Sequence, residues 1–401
     1  MRPPRTVVTG LGVLSSVGVG LDAFWSAVQA GTVGTGPITR FDASELRASQ
    51  AGELGPLDDG AAFERQPPGR FQRATRLAVT AARAAAQDAG LDVSAVADRA
   101  GVVMGVVVAN RPGLESAYSR LYEHGAGEQR LATHEVALVS EAPAIELGCR
   151  GPVMVLPTAC AAGNSAIGFA SDMIAAGRAD VMFAGGADEL SPAMFMMFAQ
   201  FDSFSQDVVR PFDAQREGLI LSEGSAVLVL EAEHHARARG ARIYAVVGGH
   251  GNFADAHDMT HPHPDGLGAR LSMQAALADA DLRPCDVDYV SAHGTGTPAN
   301  DAIEAKAIRD VFGAHTDVLP VSSIKSMLGH SQGAASAIES VACCLAIRDG
   351  LVPPTMNIRE LDTQCPIDPV AGQVRRHRVD VALNNAFGFG GNVSCVVFAR
   401  P

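Results

Sequence analysis

The chain has 401 residues, of which 47% are hydrophobic and 19% charged, and its formal net charge is −13. This length exceeds the roughly 250–300 residues at which a single hydrophobic core stops growing, so we expect two domains or one duplicated domain. The hydrophobic content excludes a disordered chain, and the acidic balance disfavours general binding to nucleic acid or to an anionic membrane.

Short strands and helices alternate along the whole chain in the hydrophobic pattern. The predicted strands are Thr6–Thr9, Gly101–Val108, Val153–Pro157, Val181–Gly185, Ala226–Glu231, Tyr244–Gly248, Val287–Ala292, Leu319–Ser322, Val381–Asn384 and Val393–Ala399. The predicted helices are Ala74–Ala89, Gly163–Ala176, Gly268–Ala280, Ile303–Phe312 and Ala334–Asp349. This alternation is typical of an α/β protein with largely buried sheets. A turn at Gly10–Leu11–Gly12 is predicted to end the first strand, and the length suggests two packed halves, residues 1–250 and 251–401.

The strongest local signal is the segment around Cys160, where an apolar strand runs into a turn of small residues and then into a helix. The helix dipole at such a turn favours a thiolate, and small neighbours let an acyl chain and backbone N–H donors approach closely. A lone cysteine in this setting is more often a buried structural residue. Whether Cys160 is a nucleophile or a structural residue therefore depends on the other motifs.

Two further segments place polar side chains after strands of the second half. His293 lies in a Gly/Thr loop directly after a predicted strand, and Lys325 and His330 precede the helix that starts at Ala334. These side chains are candidates for one shared cleft, although each segment alone also fits an ordinary loop. A fourth segment, Asn384–Asn392, is a glycine-rich loop that lacks the phosphate-binding pattern, so it predicts close backbone approach rather than nucleotide binding.

Taken together, these segments resemble the elongating β-ketoacyl synthases of the thiolase superfamily. The resemblance spans nearly the whole chain, through VVTGLGVLSSVG, GPVMVLPTACAAGNSAIG, RPFDAQREGLILSEGSAVLVLE, SAHGTGTPANDAIEAKAI, SIKSMLGHSQGAASAIES and NNAFGFGGN. It implies a duplicated thiolase-like α/β fold, layered αβαβα with two mixed sheets. The nucleophile would lie in the first half and the histidines in the second.

The resemblance also implies roles for individual residues. Cys160 matches the nucleophile that receives the acyl chain as a thioester, and His293 and His330 match the pair that supports decarboxylation of a malonyl thioester. Lys325 matches the lysine that orders the histidines, and Glu339 matches the acidic residue of the same network.

Phe389 matches a gate over the nucleophile, and its backbone N–H would form an acyl oxyanion hole with that of Cys160. Two departures are visible, since Asn392 stands where many of these synthases carry threonine and Ser336 replaces a small glycine.

The implied activity is acyl transfer by decarboxylative Claisen condensation, which needs no cofactor because the substrates are phosphopantetheine thioesters on an acyl carrier protein. The implied assembly is a dimer, either a homodimer as in fatty-acid elongation or a heterodimer with a chain-length factor as in type II polyketide synthesis. The Ala-, Arg- and Gly-rich composition favours the polyketide alternative. A non-catalytic scaffold or partner subunit remains the alternative of another class.

Two sets of residues are predicted to adapt the site to its substrates. The residues predicted to border the acyl channel are Met194, Met196, Met197, Phe198 and Phe387, with ordinary core packing as the alternative for the methionine-rich stretch. The arginines predicted to dock an acidic carrier protein are Arg65, Arg70, Arg73, Arg76 and Arg210, with a solvated helix face as the alternative.

The seven cysteines are scattered and form neither a CxxC pair nor a metal-ligand spacing. We therefore predict no metal site and a reducing, cytoplasmic environment. No segment is apolar over the roughly 18 residues that a membrane span needs, and the N-terminus has no long apolar stretch of an export signal.

Overall fold

A computed structural model describes residues 4–46, 48–124, 134–201 and 203–401. Its strands are β1 (Thr6–Ser15), β2 (Gly18–Val19), β3 (Gly36–Pro37), β4 (Gln50–Ala51), β5 (Ala100–Gly105), β6 (Val153–Leu156), β7 (Val181–Asp188), β8 (Gly224–Ala232), β9 (Ala245–Ala254), β10 (Tyr289–Ser291), β11 (Val321–Ser322), β12 (Leu351–Val352), β13 (Arg375–Arg376), β14 (Val381–Phe387) and β15 (Asn392–Ala399). Its helices are α1 (Leu21–Gln29), α2 (Arg73–Asp88), α3 (Arg111–His124), α4 (Leu138–Leu147), α5 (Ala162–Ala175), α6 (Pro192–Ala199), α7 (Glu233–Ala238), α8 (Leu267–Asp279), α9 (Pro298–Phe312), α10 (Lys325–Leu328) and α11 (Ala335–Asp349).

The main sheet contains the same strand arrangement twice. The first half runs β6-β5-β7-β8-β1 across the sheet, and the second runs β11-β10-β14-β15-β9. In each half the first three of these strands are parallel and the last two pairings are antiparallel. Numbered by their order in the chain, the strands of both halves follow the order 3-2-4-5-1, so the chain is a structural duplication.

The two halves are hydrogen-bonded to each other through their first strands. β1 pairs antiparallel with β9, with Thr6 opposite Val247 and Val8 opposite Ala245. The two expected mixed sheets are therefore joined into one continuous 11-stranded sheet. Residue 250, where the sequence analysis divides the chain, lies inside β9, and we propose that the second half instead begins at the start of this strand.

The helices form three layers around the two halves of the sheet. α2 packs on β1 and β8, α8 packs on β9 and β15, and α5 and α11 pack between the halves. α5 contacts β5 and β7 on one side and β9 and β15 on the other. This is the expected αβαβα layering, and it places the N-termini of α5 and α11 at the centre of the molecule.

The glycines of the first strand have a different role from the predicted one. β1 continues through Gly10 and Gly12 to Ser15, with only a bulge between Val8 and Gly10. A Cβ on Gly10 would lie 2.3 Å from the carbonyl oxygen of Ala85, and one on Gly12 would lie 2.1 Å from that of Ala81. The predicted turn is wrong because these glycines let α2 approach the sheet.

Strand β6 is also different from its prediction. Val153 and Met154 are 39% and 41% exposed, and β6 lies at the end of the sheet with β5 as its neighbour. The apolar run predicted a buried strand, but within the described residues it forms an apolar sheet edge, which is a ready template for pairing with another chain. Among the described residues, no helix combines the length and apolar character needed to cross a membrane.

Candidate active site

Cys160 lies in the tight turn that connects β6 to α5. The φ angle of Ala159, the residue before it, is +52°, a strained conformation for a residue with a side chain. A Cβ on Gly388 would lie 2.8 Å from the amide nitrogen of Cys160. A Cβ on Gly163 would lie 2.6 Å from the amide nitrogen of Ala337 in α11. Glycine is required at both places, and it lets α11 and the loop after β14 close around the cysteine.

The electrostatic surroundings keep Cys160 protonated. Burial raises the pKa of its thiol to about 12, while the positive charge of Lys325 acts in the opposite direction. The carboxylates of Asp188 and Glu339 add to the increase. Burial therefore opposes the thiolate that the helix dipole favours, because the loss of hydration raises the pKa by more than the positive charge of Lys325 lowers it.

The two predicted histidines lie together. The ring centroids of His293 and His330 are 5.5 Å apart, with the ring planes at 83°. The backbone N–H of Gln332 donates to Nδ1 of His330 at 3.2 Å, and Nζ of Lys325 lies 3.5 Å from Nδ1 of His293. Because each Nδ1 faces a donor, the proton of each neutral ring is assigned to Nε2.

Both rings are neutral at pH 7. Burial lowers the pKa of His293 and of His330 well below 6.5, and the charge of Lys325 lowers both further. Each imidazole can therefore donate its Nε2–H group, because the contacts with Lys325 and Gln332 involve Nδ1. Neutral donors in a buried site are suited to stabilising an oxyanion as it develops.

The charged pair behind the histidines is buried. Lys325, at the start of α10, forms an ion pair with Glu339 in α11. Burial raises the pKa of Glu339 to about 7, while Lys325 lowers it. The predicted network of Lys325, Glu339 and His293 is thus brought together in space, with the lysine contacting both partners.

Glu304 is a site residue that the sequence analysis did not single out. Its two carboxylate oxygens accept the backbone N–H groups of His293 and Gly294, both at 2.8 Å. Burial raises the pKa of Glu304 to about 7, while these two hydrogen bonds lower it. A usable signal was the spacing of Asp301 and Glu304, because two acidic residues three apart share one face of α9.

Phe389 lies in the loop between β14 and β15, within an aromatic cluster. Its ring stacks on Phe198 at 5.2 Å and meets Phe201 edge-on at 5.8 Å. Nδ2 of Asn392 donates to the carbonyl oxygen of Phe389 at 2.9 Å, and the amide of Gly390 donates to that of Met259 at 2.7 Å. The residue that departs from the usual threonine therefore holds the predicted gate loop.

One cavity of about 290 Å³ connects these groups. The residues of its wall that matter for the chemistry are Cys160, His293, His330, Phe389, Thr295 and Thr297. Two of the five predicted channel residues, Phe198 and Phe387, also line it.

The methionines of the predicted channel lie elsewhere. Met194 is buried in the hydrophobic cluster next to Phe198. Met196 and Met197 are 53% and 38% exposed and do not belong to the cavity wall. α6 begins with Ser191 as its N-cap, whose hydroxyl accepts the backbone N–H of Met194.

Most of the predicted docking arginines are engaged inside the chain. Arg65 and Arg70 are exposed. The other three form the ion pairs Arg73–Glu223 at 2.7 Å, Arg76–Asp59 at 2.5 Å and Arg210–Asp207 at 2.5 Å. Of the five predicted docking arginines, Arg65 and Arg70 are therefore the two that remain as candidates for contact with a partner. Across the described ranges, no group of three or more His, Cys, Asp or Glu side chains could hold a metal ion.

Known sequences and structures resemble this chain over its whole length. The family model described as "Beta-ketoacyl synthase, N-terminal domain" matches residues 4–236, and that of the C-terminal domain matches residues 244–359. The chain is 39% identical to a 3-oxoacyl-[acyl-carrier-protein] synthase 2 of Synechocystis, covering 100% of this chain and 99% of that protein. It is 40% identical to the tetracenomycin polyketide synthase ketoacyl synthase alpha subunit of Streptomyces glaucescens, covering 99% and 97%.

A solved structure agrees with these sequences. The chain superposes on the ishigamide ketosynthase/chain length factor with a TM-score of 0.96 and 38% identity, covering 100% of both chains. The duplicated strand order and the full-length sequence matches lead to the same result. This chain therefore belongs to the β-ketoacyl synthase family.

Proposed function

We propose that this chain condenses a Cys160-bound acyl group with a malonyl thioester, as the catalytic ketosynthase subunit of a bacterial type II polyketide system. The observation that carries the proposal is the shared cavity, in which Cys160 meets two neutral imidazoles whose Nδ1 atoms are both occupied. One group supplies a nucleophile and the other two supply N–H donors, which is the set that the reaction needs.

The first step is transfer of the acyl chain to Cys160. Its sulfur attacks the thioester carbonyl, and the leaving pantetheine sulfur receives the proton, so no strong base is required. The backbone N–H groups of Cys160 and Phe389 would hold the oxyanion. Since burial raises the pKa of Cys160 to about 12, the attacking thiolate is formed only as the substrate arrives.

The second step is loss of CO2 from the malonyl thioester. The electron pair of the broken C–C bond moves into an enolate, and Nε2–H of His293 and of His330 donates to the enolate oxygen. Removing one donor of this kind typically costs about 10²–10³ in rate. Lys325 contributes by keeping both rings neutral, since its charge disfavours their protonation.

The third step joins the two carbon chains. The enolate carbon attacks the acyl carbonyl on Cys160, and the intermediate collapses to a β-ketoacyl thioester as the C–S bond breaks. The Cys160 thiolate that leaves takes up a proton from water, which restores the thiol. Phe389 must move for the longer chain to pass, because it is stacked on Phe198 at the cavity wall. Apart from the thiol, the reaction uses only hydrogen bonds and needs no cofactor.

The substrates would arrive on the phosphopantetheine arm of an acyl carrier protein. The hydroxyls of Thr295 and Thr297, which line the cavity, are 3.0 Å apart and suit the polar groups of that arm. Arg65 and Arg70 are the exposed arginines that would contact an acidic carrier surface. A cytoplasmic location fits the seven free cysteines.

A second subunit would cover the apolar edge of β6. The similarity to a ketosynthase/chain length factor structure supports a heterodimer, and the exposed Val153 and Met154 supply an unpaired edge for it. A homodimeric fatty-acid synthase is the competing assignment, which the similarity to a 3-oxoacyl synthase supports.

The test is intact mass spectrometry with acyl- and malonyl-carrier proteins, with and without a candidate partner subunit. We expect acylation of the wild-type chain, none in Cys160→Ala, and a product two carbons longer that forms only with the partner. A self-sufficient reaction would instead assign the chain to fatty-acid elongation. If neither acylation nor condensation occurred with any partner, a scaffold role would replace the catalytic one.

A further inference from the structure

Asp188, the last residue of β7, is fully buried, and its carboxylate accepts hydrogen bonds from four backbone N–H groups. Its Oδ1 accepts the N–H groups of Val108 at 2.7 Å and Ala109 at 2.6 Å. Its Oδ2 accepts those of Val107 at 2.8 Å and Gly333 at 2.7 Å. One carboxylate therefore joins two segments that are far apart in the chain.

Both of these segments contain a strained residue. Ala109 has a φ of +51° and Gln332, next to Gly333, has a φ of +55°. Such conformations cost of order 1–3 kcal/mol for residues other than glycine and persist only where the surroundings enforce them. Asp188 is the group that bonds to both turns.

The second strained residue acts directly on a histidine. The backbone N–H of Gln332 is the donor that occupies Nδ1 of His330. If Gln332 relaxed to a negative φ, this N–H would turn away, and His330 would no longer be held with its proton on Nε2. The hydrogen bond from Gly333 to Asp188 opposes that relaxation.

The first segment packs in the hydrophobic cluster that also holds the gate residue Phe389. Val107 and Val108 lie in the same hydrophobic cluster as Phe198 and Phe389. The carboxylate of Asp188 thus connects this cluster to the turn that carries His330.

We propose that Asp188 is a positioning residue that fixes the Nε2–H tautomer of His330 by holding the strained turn at Gln332. The proposal rests on the proposed role of His330 in decarboxylation. Burial raises the pKa of Asp188 to about 6, while the four hydrogen bonds lower it. The group is therefore mainly ionised at pH 8, as four N–H donors require.

The test replaces the carboxylate in the full-length chain. In Asp188→Asn one oxygen becomes an NH2 group, which repels the two N–H groups that it faces, either those of Val107 and Gly333 or those of Val108 and Ala109. We expect the release of CO2 from malonyl-pantetheine to fall about tenfold to a hundredfold, less than loss of the donor itself. Acylation of Cys160 by a short acyl-pantetheine should not fall by more than about threefold, because the lost carboxylate is one of the charges that raise the pKa of its thiol.

A second readout does not depend on activity. The ¹⁵N chemical shifts of His330 should show an unprotonated Nδ1 in the wild type and a mixture of tautomers in Asp188→Asn. The matched control is Asp213→Asn, because Asp213 is also fully buried and accepts three backbone N–H groups. The control should lose stability without changing the ratio of the two half-reactions or the tautomer.

The strain argument is tested by Asp188→Asn combined with Gln332→Gly. Glycine adopts a positive φ at no cost, so the double variant should recover CO2 release by at least about threefold over Asp188→Asn. If Asp188→Asn does not fold, the double variant should stay within about threefold of Gln332→Gly alone.

The proposal is overturned if Asp188→Asn and Asp213→Asn slow both half-reactions equally, if the tautomer is unchanged, or if the second substitution restores nothing. A wild type that releases no CO2 would refute the proposed function instead, and the tautomer comparison would still decide the role of Asp188.

Discussion

The two halves of the chain share one strand order but connect their third strand to the central helix in different ways. In the first half β6 leads through a short turn to Cys160 and α5. In the second half β11 leads through α10 to His330 and α11. The equivalent positions of α5 and α11 bring both connections to one cavity.

The difference between the connections assigns the chemistry. The short connection contains Ala159 and small neighbours, so it supplies a sulfur and backbone N–H groups. The longer one carries Lys325 and its ion pair with Glu339, so it supplies charge and oriented donors. Burial acts on both in the same direction, because it keeps the thiol and the imidazoles uncharged. In the proposed mechanism the two equivalent connections therefore contribute different groups, a nucleophile from the first and a charged pair with an imidazole from the second.

The proposed division of work between the halves is tested most directly by removing the imidazole donors of the second half. We expect His293→Ala and His330→Ala to slow CO2 release by about 10²–10³ each, since each removes one hydrogen bond to the enolate. Acylation of Cys160, followed by intact mass, should be much less affected because neither imidazole donates a hydrogen bond in the proposed acylation step. Equal losses in both half-reactions would show that the halves do not divide the work.

The next largest effect concerns the charge of the second half. Lys325→Met leaves Glu339 buried without its partner, which should lower the free energy of unfolding by about 3–5 kcal/mol. Urea denaturation measures this change. The control is Arg150→Met, which breaks an exposed pair with Asp98 and should leave the unfolding curve within error. Similar curves for both variants would contradict a buried ion pair.

Long periodic elements and chemical motifs were accessible from the sequence. The helix predicted at Ala74–Ala89 is α2, Arg73–Asp88. It could be predicted because its buried alanines recur at helical spacing within one short segment. Cys160, His293 and His330 were accessible because their motifs follow predicted strands and together resemble those of the β-ketoacyl synthases. Their meeting in one cavity was not, since β6 lies at the opposite end of the sheet from β10 and β11.

Features that depend on distant contacts were not accessible. The N–H groups that bind Asp188 lie 79 to 145 residues away along the chain, so no local pattern marks this residue. The role of Gly10 depends on α2, and the exposure of β6 depends on which strand ends the sheet. The ion pairs of Arg73 with Glu223 and of Arg76 with Asp59 likewise join residues 150 and 17 positions apart. The pair of Arg210 with Asp207 is local, so its spacing was a usable signal.

The pH dependence of Cys160 alkylation tests how burial acts on the connection in the first half. Because burial raises its pKa to about 12, alkylation by iodoacetamide should rise about tenfold per pH unit from pH 7 to 9. No plateau is expected, since the thiolate fraction grows throughout this range. Peptide mapping distinguishes Cys160 from the exposed Cys285. A plateau below pH 8 would mean that the dipole of α5 and Lys325 overcome burial.

The smallest expected effect lies outside the cavity, on the surface of the first half. Charge reversal by Arg65→Glu and Arg70→Glu should raise the apparent KM for a carrier-bound substrate about 3- to 10-fold, because each removes a screened attraction and adds a repulsion. Arg378→Glu, on the second half, is the control because Arg378 is 80% exposed. Pantetheine thioesters, which lack the carrier, should react equally with the wild type, with the Arg65→Glu and Arg70→Glu variants and with Arg378→Glu. If the apparent KM for pantetheine thioesters rose in parallel with that for the carrier-bound substrate, these arginines would support the fold rather than dock a partner.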